Sequence, residues 1–226
     1  MIFQRPRKQR KRLLLDIDTQ RDFLLAEGKS CVKNHSEVLA NIRRIMAWSR
    51  RKHIPIISTA EVHPNHNGES AVTFCLDGTT GQRKISYTLT SHRVSFPADN
   101  LNVLPADVWH SYRQIILHKR CSDPFEEPRI ERLLSEVQVG EFILMGAGTE
   151  EAVTATALGL LHRGKKVTVI VDALGSYNKR ETNLALRKMN SKGAKLVTTE
   201  ALAGISCLRR VGVCKCKSCR KNNVIF

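Results

Sequence analysis

The chain has no apolar run long enough to cross a membrane or to serve as a secretory signal. The run near its N-terminus, Leu13–Leu15, meets Asp16 and Asp18 almost at once. A membrane span needs about 20 apolar residues, and a signal sequence needs an apolar region of about 7–15. Seven cysteines without such a signal are typical of proteins from a reducing compartment. We therefore predict a cytoplasmic protein that does not enter a membrane.

Acidic residues are missing from both ends of the chain. Residues 1–12 hold six basic side chains and residues 205–226 hold another six, and neither segment contains Asp or Glu. Only +4 of the formal net charge of +16 therefore belongs to residues 13–204. We predict a basic N-terminal arm (1–12), one folded domain (13–204) and a basic, cysteine-rich C-terminal tail (205–226).

Aromatic residues make up only 5% of the chain, and none is interleaved with the basic cluster of the tail. Base stacking would therefore add little to the binding of a nucleic acid. The two basic segments could still bind nucleic acid or another polyanion by charge alone, through counterion release. The alternative, which we favour, is that both segments are solvated tails.

What the sequence does contain is an alternation of short apolar runs and amphipathic segments. Runs such as RLLLDID and KKVTVIVDA predict buried strands. After Ser36, which can cap a helix, the apolar positions fall on one helical face. This alternation is typical of an α/β fold with a mostly parallel sheet covered on both faces. We predict such a three-layer fold, in which residues 62–111 are irregular with at most short strands.

Three of the predicted strands end in chemically distinctive residues. One ends at Asp18 in DIDTQRDF, another ends at Lys119 in LHKRCSDPF, and the run EFILMG leads through a glycine turn to Ala152. Ligands of parallel sheets bind beyond the carboxyl ends of the strands, so we expect these residues to share one crevice. An Asp beside a Lys can act as a general acid or base, while the ammonium stabilises a developing anion. Each residue alone would more often be a turn cap or a solvated surface group.

Three segments carry a resemblance to a known family. They are LLLDIDTQRDF, LHKRCSDPF and GAGTEEAVTATALGLLHRGKKVTVIVDA. Together they resemble the catalytic segments of the isochorismatase-like cysteine hydrolase superfamily, which includes nicotinamidases, carbamoylsarcosine amidases and isochorismatases. The resemblance extends over residues 12–204 and implies a Rossmann-like fold with a six-stranded, mostly parallel sheet. It also implies a small-molecule substrate, and we expect a homo-oligomer.

The resemblance also implies roles for particular residues. The family's catalytic Asp and Lys fall on Asp18 and Lys119, and its nucleophilic Cys falls on position 152. We assign substrate binding to Gln20, Gly148 and Thr149. Family members also carry a cis peptide bond in the glycine turn, which would fall between Ala147 and Gly148.

Position 152 holds an alanine, whose methyl group cannot act as a nucleophile. Amide hydrolysis through a covalent acyl intermediate is therefore disfavoured. Cys121 could be proposed as a substitute, but it belongs to a different element and is better explained as a packed thiol. Isochorismatases also lack this cysteine and cleave a vinyl ether with their Asp and Lys. Two classes of function remain: a hydrolase that acts on a non-amide small molecule through Asp18 and Lys119, or a pseudoenzyme that binds a small molecule, a protein or a polyanion.

The sequence contains only some of the ligands that a metal site would need. In STAEVHPNH, Glu61 and His63 resemble two ligands of the metal loop found in the family's amidases, but Phe74 occupies the position of the third. His66 is either a substitute ligand or a solvated loop residue. Two ligands bind a divalent metal poorly. We expect no cofactor to be required for catalysis.

The tail contains a second group of potential metal ligands. Four cysteines within thirteen residues suit a structural zinc with four sulfur ligands; they are Cys207, Cys214, Cys216 and Cys219. The alternative is a set of free or redox-labile thiols, because the basic neighbours would stabilise thiolates with or without a metal.

Overall fold

A computed structural model describes residues 11–65, 72–98, 103–105 and 107–204. Most of the basic N-terminal arm, the whole C-terminal tail and His66 lie outside these ranges. The predictions about the four tail cysteines therefore concern residues that the structure does not describe. In the part of the chain that it describes, no helix has the length and apolar character of a membrane span.

One parallel sheet of seven strands forms the centre of the molecule, in the order β3-β4-β2-β1-β5-β6-β7. The strands are β1 (Leu13–Ile17), β2 (Ile56–Glu61), β3 (Arg93–Phe96), β4 (Gln114–Lys119), β5 (Phe142–Gly146), β6 (Val167–Leu174) and β7 (Lys195–Val197). The predicted fold class is confirmed. The sheet has one strand more than the six that we expected.

The additional strand is β3, which lies in the segment that we predicted to be mostly irregular. It is an edge strand of four residues, and only Phe96 of these is buried. Strand prediction from sequence relies on apolar runs or on regular alternation. A short edge strand that is mostly accessible to solvent shows neither, which explains why the count was too low.

Seven helices in the described residues flank the sheet. They are α1 (Arg21–Leu24), α2 (His35–Arg51), α3 (Val108–Ser111), α4 (Pro128–Glu136), α5 (Thr154–His162), α6 (Lys179–Ser191) and α7 (Thr199–Ala203). Short 3-10 turns lie at Ser86–Thr88 and Pro124–Glu126, and a π-helical turn at Thr149–Val153 leads into α5.

The side chains of β1 show how the three layers arise. Leu13, Leu15 and Ile17 belong to an apolar core shared with α4, α5 and α6. Leu14 belongs to the opposite core, which is shared with α2 and α7. Successive side chains of a strand point to opposite faces of a sheet, so β1 contributes apolar side chains to both faces, and both faces are covered by helices.

The start of α2 differs from the prediction, because Ser36 does not cap it. The helix begins at His35, and the residue before it is Asn34. The Asn34 amide instead donates to the carbonyl of Leu174 and accepts from the amide of Ser176. Asn34 therefore connects the start of α2 to the end of β6, a contact between residues far apart in the sequence.

Candidate active site

Three neighbouring strands place charged side chains at one edge of the sheet. The order β4-β2-β1 puts β2 between the other two. Asp18 follows β1, Glu61 is the last residue of β2, and Lys119 is the last residue of β4. Glu61 and Lys119 are register partners. The parallel sheet therefore gathers two carboxylates and an ammonium from three distant segments.

The ammonium group of Lys119 holds this cluster together. Its Nζ lies 2.8 Å from Asp18 Oδ2 and 3.1 Å from Glu61 Oε2, and it donates to the carbonyl of Cys121 at 2.8 Å. An ammonium has three N–H donors, so these partners use all of them. Burial by itself lowers the pKa of Lys119, but the charges of Asp18 and Glu61 outweigh burial and raise the pKa above its ordinary value. The two carboxylates therefore favour the charged form of Lys119.

Asp18 is fixed by its backbone as well as by its carboxylate. Its φ of 47° lies in the left-handed region, which Asp tolerates better than most residues. Thr59 Oγ1 donates to Asp18 Oδ1 at 2.7 Å and accepts from the Asp18 amide at 3.2 Å. A carboxylate offers about four lone-pair sites, so Asp18 keeps acceptor capacity toward the cavity that it lines.

The two residues of the predicted metal pair already bind protein groups. Glu61 Oε2 pairs with Lys119, and Glu61 Oε1 lies 2.9 Å from His63 Nε2. Phe74 packs edge-on against His63, with ring centroids 5.2 Å apart, and offers no metal ligand. The described residues contain no group of three or more His, Cys, Asp or Glu side chains placed to bind a metal. This arrangement does not fit the metal that the resemblance implies.

Position 152 lies at the end of a tight glycine turn. Gly148 has a φ of 70°, and the π-helical turn that follows it places Ala152 against the cavity with 4% of its surface exposed. The prediction of a cis bond between Ala147 and Gly148 was wrong, since no described peptide bond is cis. The chain is turned here by the left-handed backbone of Gly148, which only glycine adopts without steric cost.

Two of the three residues assigned to substrate binding hold other parts of the site. The Gln20 amide donates to the carbonyls of Glu61 and Gln82 and accepts from the Glu61 amide, which fastens β1 to β2. Thr149 Oγ1 donates to the carbonyl of Gly175 at 2.8 Å. Both side chains are fully buried, whereas Gly148 lines the cavity.

A cavity of about 230 Å³ lies above the cluster. Its described lining combines aromatic rings, carboxylates and small residues: Asp18, Phe23, Ser30, Glu61, Phe74, Ser122, Ala147, Gly148, Glu151, Ala152 and Tyr177. Lys119 is fully buried and lies beneath this surface. The cavity is smaller than the range of about 300–1,000 Å³ that is usual for drug-sized ligands.

Sequence reasoning missed several of these lining residues. Phe23 and Glu151 lie within the quoted motifs, where their spacing from Asp18 and Ala152 could have singled them out. Ser30 and Tyr177 come from loops with no distinctive pattern. They meet in the fold, where the Tyr177 hydroxyl donates to the Ser30 carbonyl at 3.1 Å.

Neither cysteine near the site has the character of a nucleophile. Cys121 Sγ donates to the carbonyl of Asp123 at 3.2 Å, and burial together with the neighbouring Glu126 raises the pKa of Cys121 to about 11. Cys75 is fully buried, and burial and the nearby Asp22 carboxylate raise its pKa strongly. Reactive cysteines have lowered pKa values, so neither thiol fits the role of a nucleophile.

Comparison with known proteins agrees with the resemblance noted in the sequence. The family model described as "Isochorismatase domain" matches residues 12–201. Isochorismatase domain-containing protein 2A of Mus musculus is 42% identical over 65 residues, which are 29% of this chain and 32% of that protein. Isochorismatase domain-containing protein 2 of Homo sapiens is 36% identical over 72 residues, 32% of this chain and 35% of that protein. The matched segments span about a third of each relative.

Solved structures with the same fold are more distant in sequence. The pyrazinamidase/nicotinamidase of Streptococcus mutans has a TM-score of 0.66 at 20% identity, covering 83% of this chain and 100% of that chain. The MAR1 ribonuclease of Caenorhabditis elegans has a TM-score of 0.59 at 23% identity, covering 87% and 81%. At these identities the similarity establishes the fold alone.

Proposed function

The chain belongs to the isochorismatase domain family, and from that premise we propose that it is a hydrolase that works without a cysteine nucleophile. In this proposal Asp18 exchanges a proton with a small, non-amide substrate or with an attacking water. The proposal rests on the position of the Asp18 carboxylate. It lines the cavity, and its Oδ2 lies 2.8 Å from Lys119 Nζ.

The geometry gives Asp18 and Lys119 different proposed roles. Asp18 is the group with free lone pairs toward the cavity, so it is the proposed general acid or base. Lys119 has no N–H left for a substrate, because Asp18, Glu61 and the Cys121 carbonyl use all three. Its proposed role is to orient Asp18 and to stabilise its charge. Ala152 leaves space where a nucleophile would stand, which excludes an acyl intermediate at this position.

A hydrolysis screen tests the proposal. The purified chain is assayed against amides, esters and vinyl ethers of small size, beside an Asp18→Asn variant. We expect no amide turnover, and we expect turnover of a non-amide compound that falls by a factor of about 10²–10⁴ in Asp18→Asn. Asp77→Asn is the matched control, because Asp77 is a solvent-accessible carboxylate that pairs with Arg120 at 3.1 Å. Equal turnover in Asp18→Asn would refute the role of Asp18.

A second candidate is a pseudoenzyme whose cavity binds a small molecule without turnover. The engagement of all three Lys119 donors favours it, since no ammonium proton is left to stabilise an anion that develops on a substrate. Ligand binding that survives in a chain with no hydrolytic activity would support this candidate.

We propose four further properties of this chain. They are a cytoplasmic location, a homo-oligomeric state, a structural zinc on the tail cysteines, and a polyanion such as nucleic acid as partner of the basic segments. The last is supported by the twelve basic residues of segments 1–12 and 205–226, with solvated tails as its alternative.

A further inference from the structure

We infer that the cavity recognises a small organic cation, an ammonium or N-methylated ammonium group, through the carboxylates and aromatic rings that line it. This inference rests on the proposed function, because it takes the cavity above Asp18 as the substrate site. It adds the chemical class of the ligand, which neither the family match nor the fold specifies.

The lining carries more negative charge than the protein compensates. Asp18 and Glu61 share one cation, Lys119, and among the described residues Glu151 accepts a hydrogen bond only from the neutral Ser122 hydroxyl, at 3.1 Å. The described residues of the lining include no Lys or Arg. Three carboxylates against one ammonium leave a negative charge, even when the imidazole beside Glu61 is protonated.

Three aromatic residues belong to the same lining. Phe23 and Phe74 are tilted against each other with centroids 5.4 Å apart, and Tyr177 contributes the third ring. Burial raises the pKa of Tyr177 to about 12, so its side chain stays an uncharged phenol. The face of an aromatic ring attracts a cation, and several rings around one site are the usual means of binding a quaternary ammonium.

The positive net charge of the whole chain does not cancel this preference. Twelve of its sixteen excess charges lie in the two terminal segments. Charges in water are largely screened beyond about 8 Å at physiological salt, whereas the lining carboxylates touch the ligand directly. A carboxylate or phosphate ligand would meet like charges in the cavity, so anionic substrates are disfavoured.

The test uses three probes of nearly the same shape and different charge. They are choline, its neutral isostere 3,3-dimethylbutan-1-ol, and the anion 3,3-dimethylbutanoate. Binding to the full chain is measured by calorimetry in a buffer with EDTA, so that metal ions do not contribute. We expect choline to bind about ten-fold more tightly than the alcohol, and the anion to bind most weakly. Equal or tighter binding of the alcohol or the anion, or no binding of choline, would overturn the inference.

Two variants test whether choline binds in this cavity. Glu151→Gln should weaken choline several-fold and leave the alcohol unchanged, and Phe74→Leu should weaken choline more than the alcohol. Glu136→Gln is the matched control, because this carboxylate lies on α4 in an exposed pair with Arg132. An equal loss in Glu136→Gln and Glu151→Gln would assign the effect to overall charge and refute the site.

The inference and the proposed function fail in different ways. Choline binding that depends on Glu151, in a chain without any hydrolytic activity, would keep the inference and refute the hydrolase. Turnover of an anionic substrate that requires Asp18, without a preference for choline, would keep the hydrolase and refute the inference.

Discussion

Lys119 balances two carboxylates from a position with no solvent exposure. Asp18 and Glu61 are themselves 2% and 6% exposed, so water does little to screen the three charges from one another. Removing one partner from a buried ionic group leaves an uncompensated charge. The free energy lost in this way is larger than the net free energy that the intact group contributes to folding. The stability of the site therefore depends on a residue that we place in its function.

We expect Lys119→Met to lower the free energy of unfolding by about 3–5 kcal/mol, because it leaves Asp18 and Glu61 buried without their cation. Urea denaturation at neutral pH measures the change. Adding Glu61→Gln to the variant should restore part of the loss. Lys192→Met, at an exposed position, is the control and should change the value by no more than about 0.5 kcal/mol. A loss in Lys119→Met no larger than in this control would contradict the prediction.

The pH dependence of the stability that Lys119 contributes follows from the direction in which its pKa is shifted. The folded pKa of Lys119 is raised, so its stabilising effect is fully present below the unfolded pKa of about 10.4 and is lost as pH rises through the folded pKa. We expect the difference in unfolding free energy between the natural chain and Lys119→Met to stay constant from neutral to mildly alkaline pH. Denaturation curves that converge below about pH 9 would show that the pKa is not raised.

At the scale of elements, the end of β5 decides where position 152 lies. Leu144 pairs with Val169 of β6, but Gly146 pairs with Leu174, so the register shifts between them. Gly146 has a φ of 145°, and a Cβ there would lie 1.9 Å from the carbonyl oxygen of Ile17. The close approach of β5 to β1 at this point requires glycine. The glycine turn that carries Ala152 starts from this junction.

Gly146→Ala should therefore destabilise the chain by more than about 3 kcal/mol, since it combines a backbone conformation that only glycine adopts with a clash against backbone. Gly164→Ala is the matched comparison. Gly164 also has a positive φ, of 68°, but a Cβ there would meet nothing within 4 Å, so we expect a loss of about 1–2 kcal/mol. Thermal unfolding of both variants checks the order. Similar losses of stability in the two variants would mean that the backbone where β5 meets β1 shifts to accommodate the added Cβ.

At the scale of the whole molecule, charge and cysteine are distributed unevenly. Residues 13–204 are nearly balanced in charge, whereas residues 205–226 contain four of the seven cysteines and six basic side chains. A metal site in residues 205–226 would stabilise this segment through its ligand bonds, whereas residues 13–204 are stabilised by an apolar core.

We expect about one equivalent of zinc per chain in protein purified without added metal, held by the four tail cysteines. Elemental analysis measures it, and Cys216→Ser should reduce the content strongly. Cys31→Ser is the control, because Cys31 is a free cysteine of the folded domain. Substoichiometric zinc that does not change in Cys216→Ser would favour the alternative of free thiols.

The fold class and the choice of candidate site residues could be predicted from the sequence. Apolar runs and helical periodicity are local properties, and they predicted six of the seven strands. The strand-end rule selected Asp18 and Lys119 without reference to any family, and the alanine at position 152 was evident from the sequence alone.

Which side chains meet depends on the folded arrangement of the strands and loops. The pair formed by Glu61 and Lys119 depends on the register of β2 against β4, and the cavity lining depends on a loop after β6 that adds Tyr177 to the surface that Phe23 and Phe74 line. The structural roles of Gln20 and Thr149 emerged in the same way. Contacts between residues 26 or more positions apart are set by strand order and register, and no local pattern in the sequence encodes them.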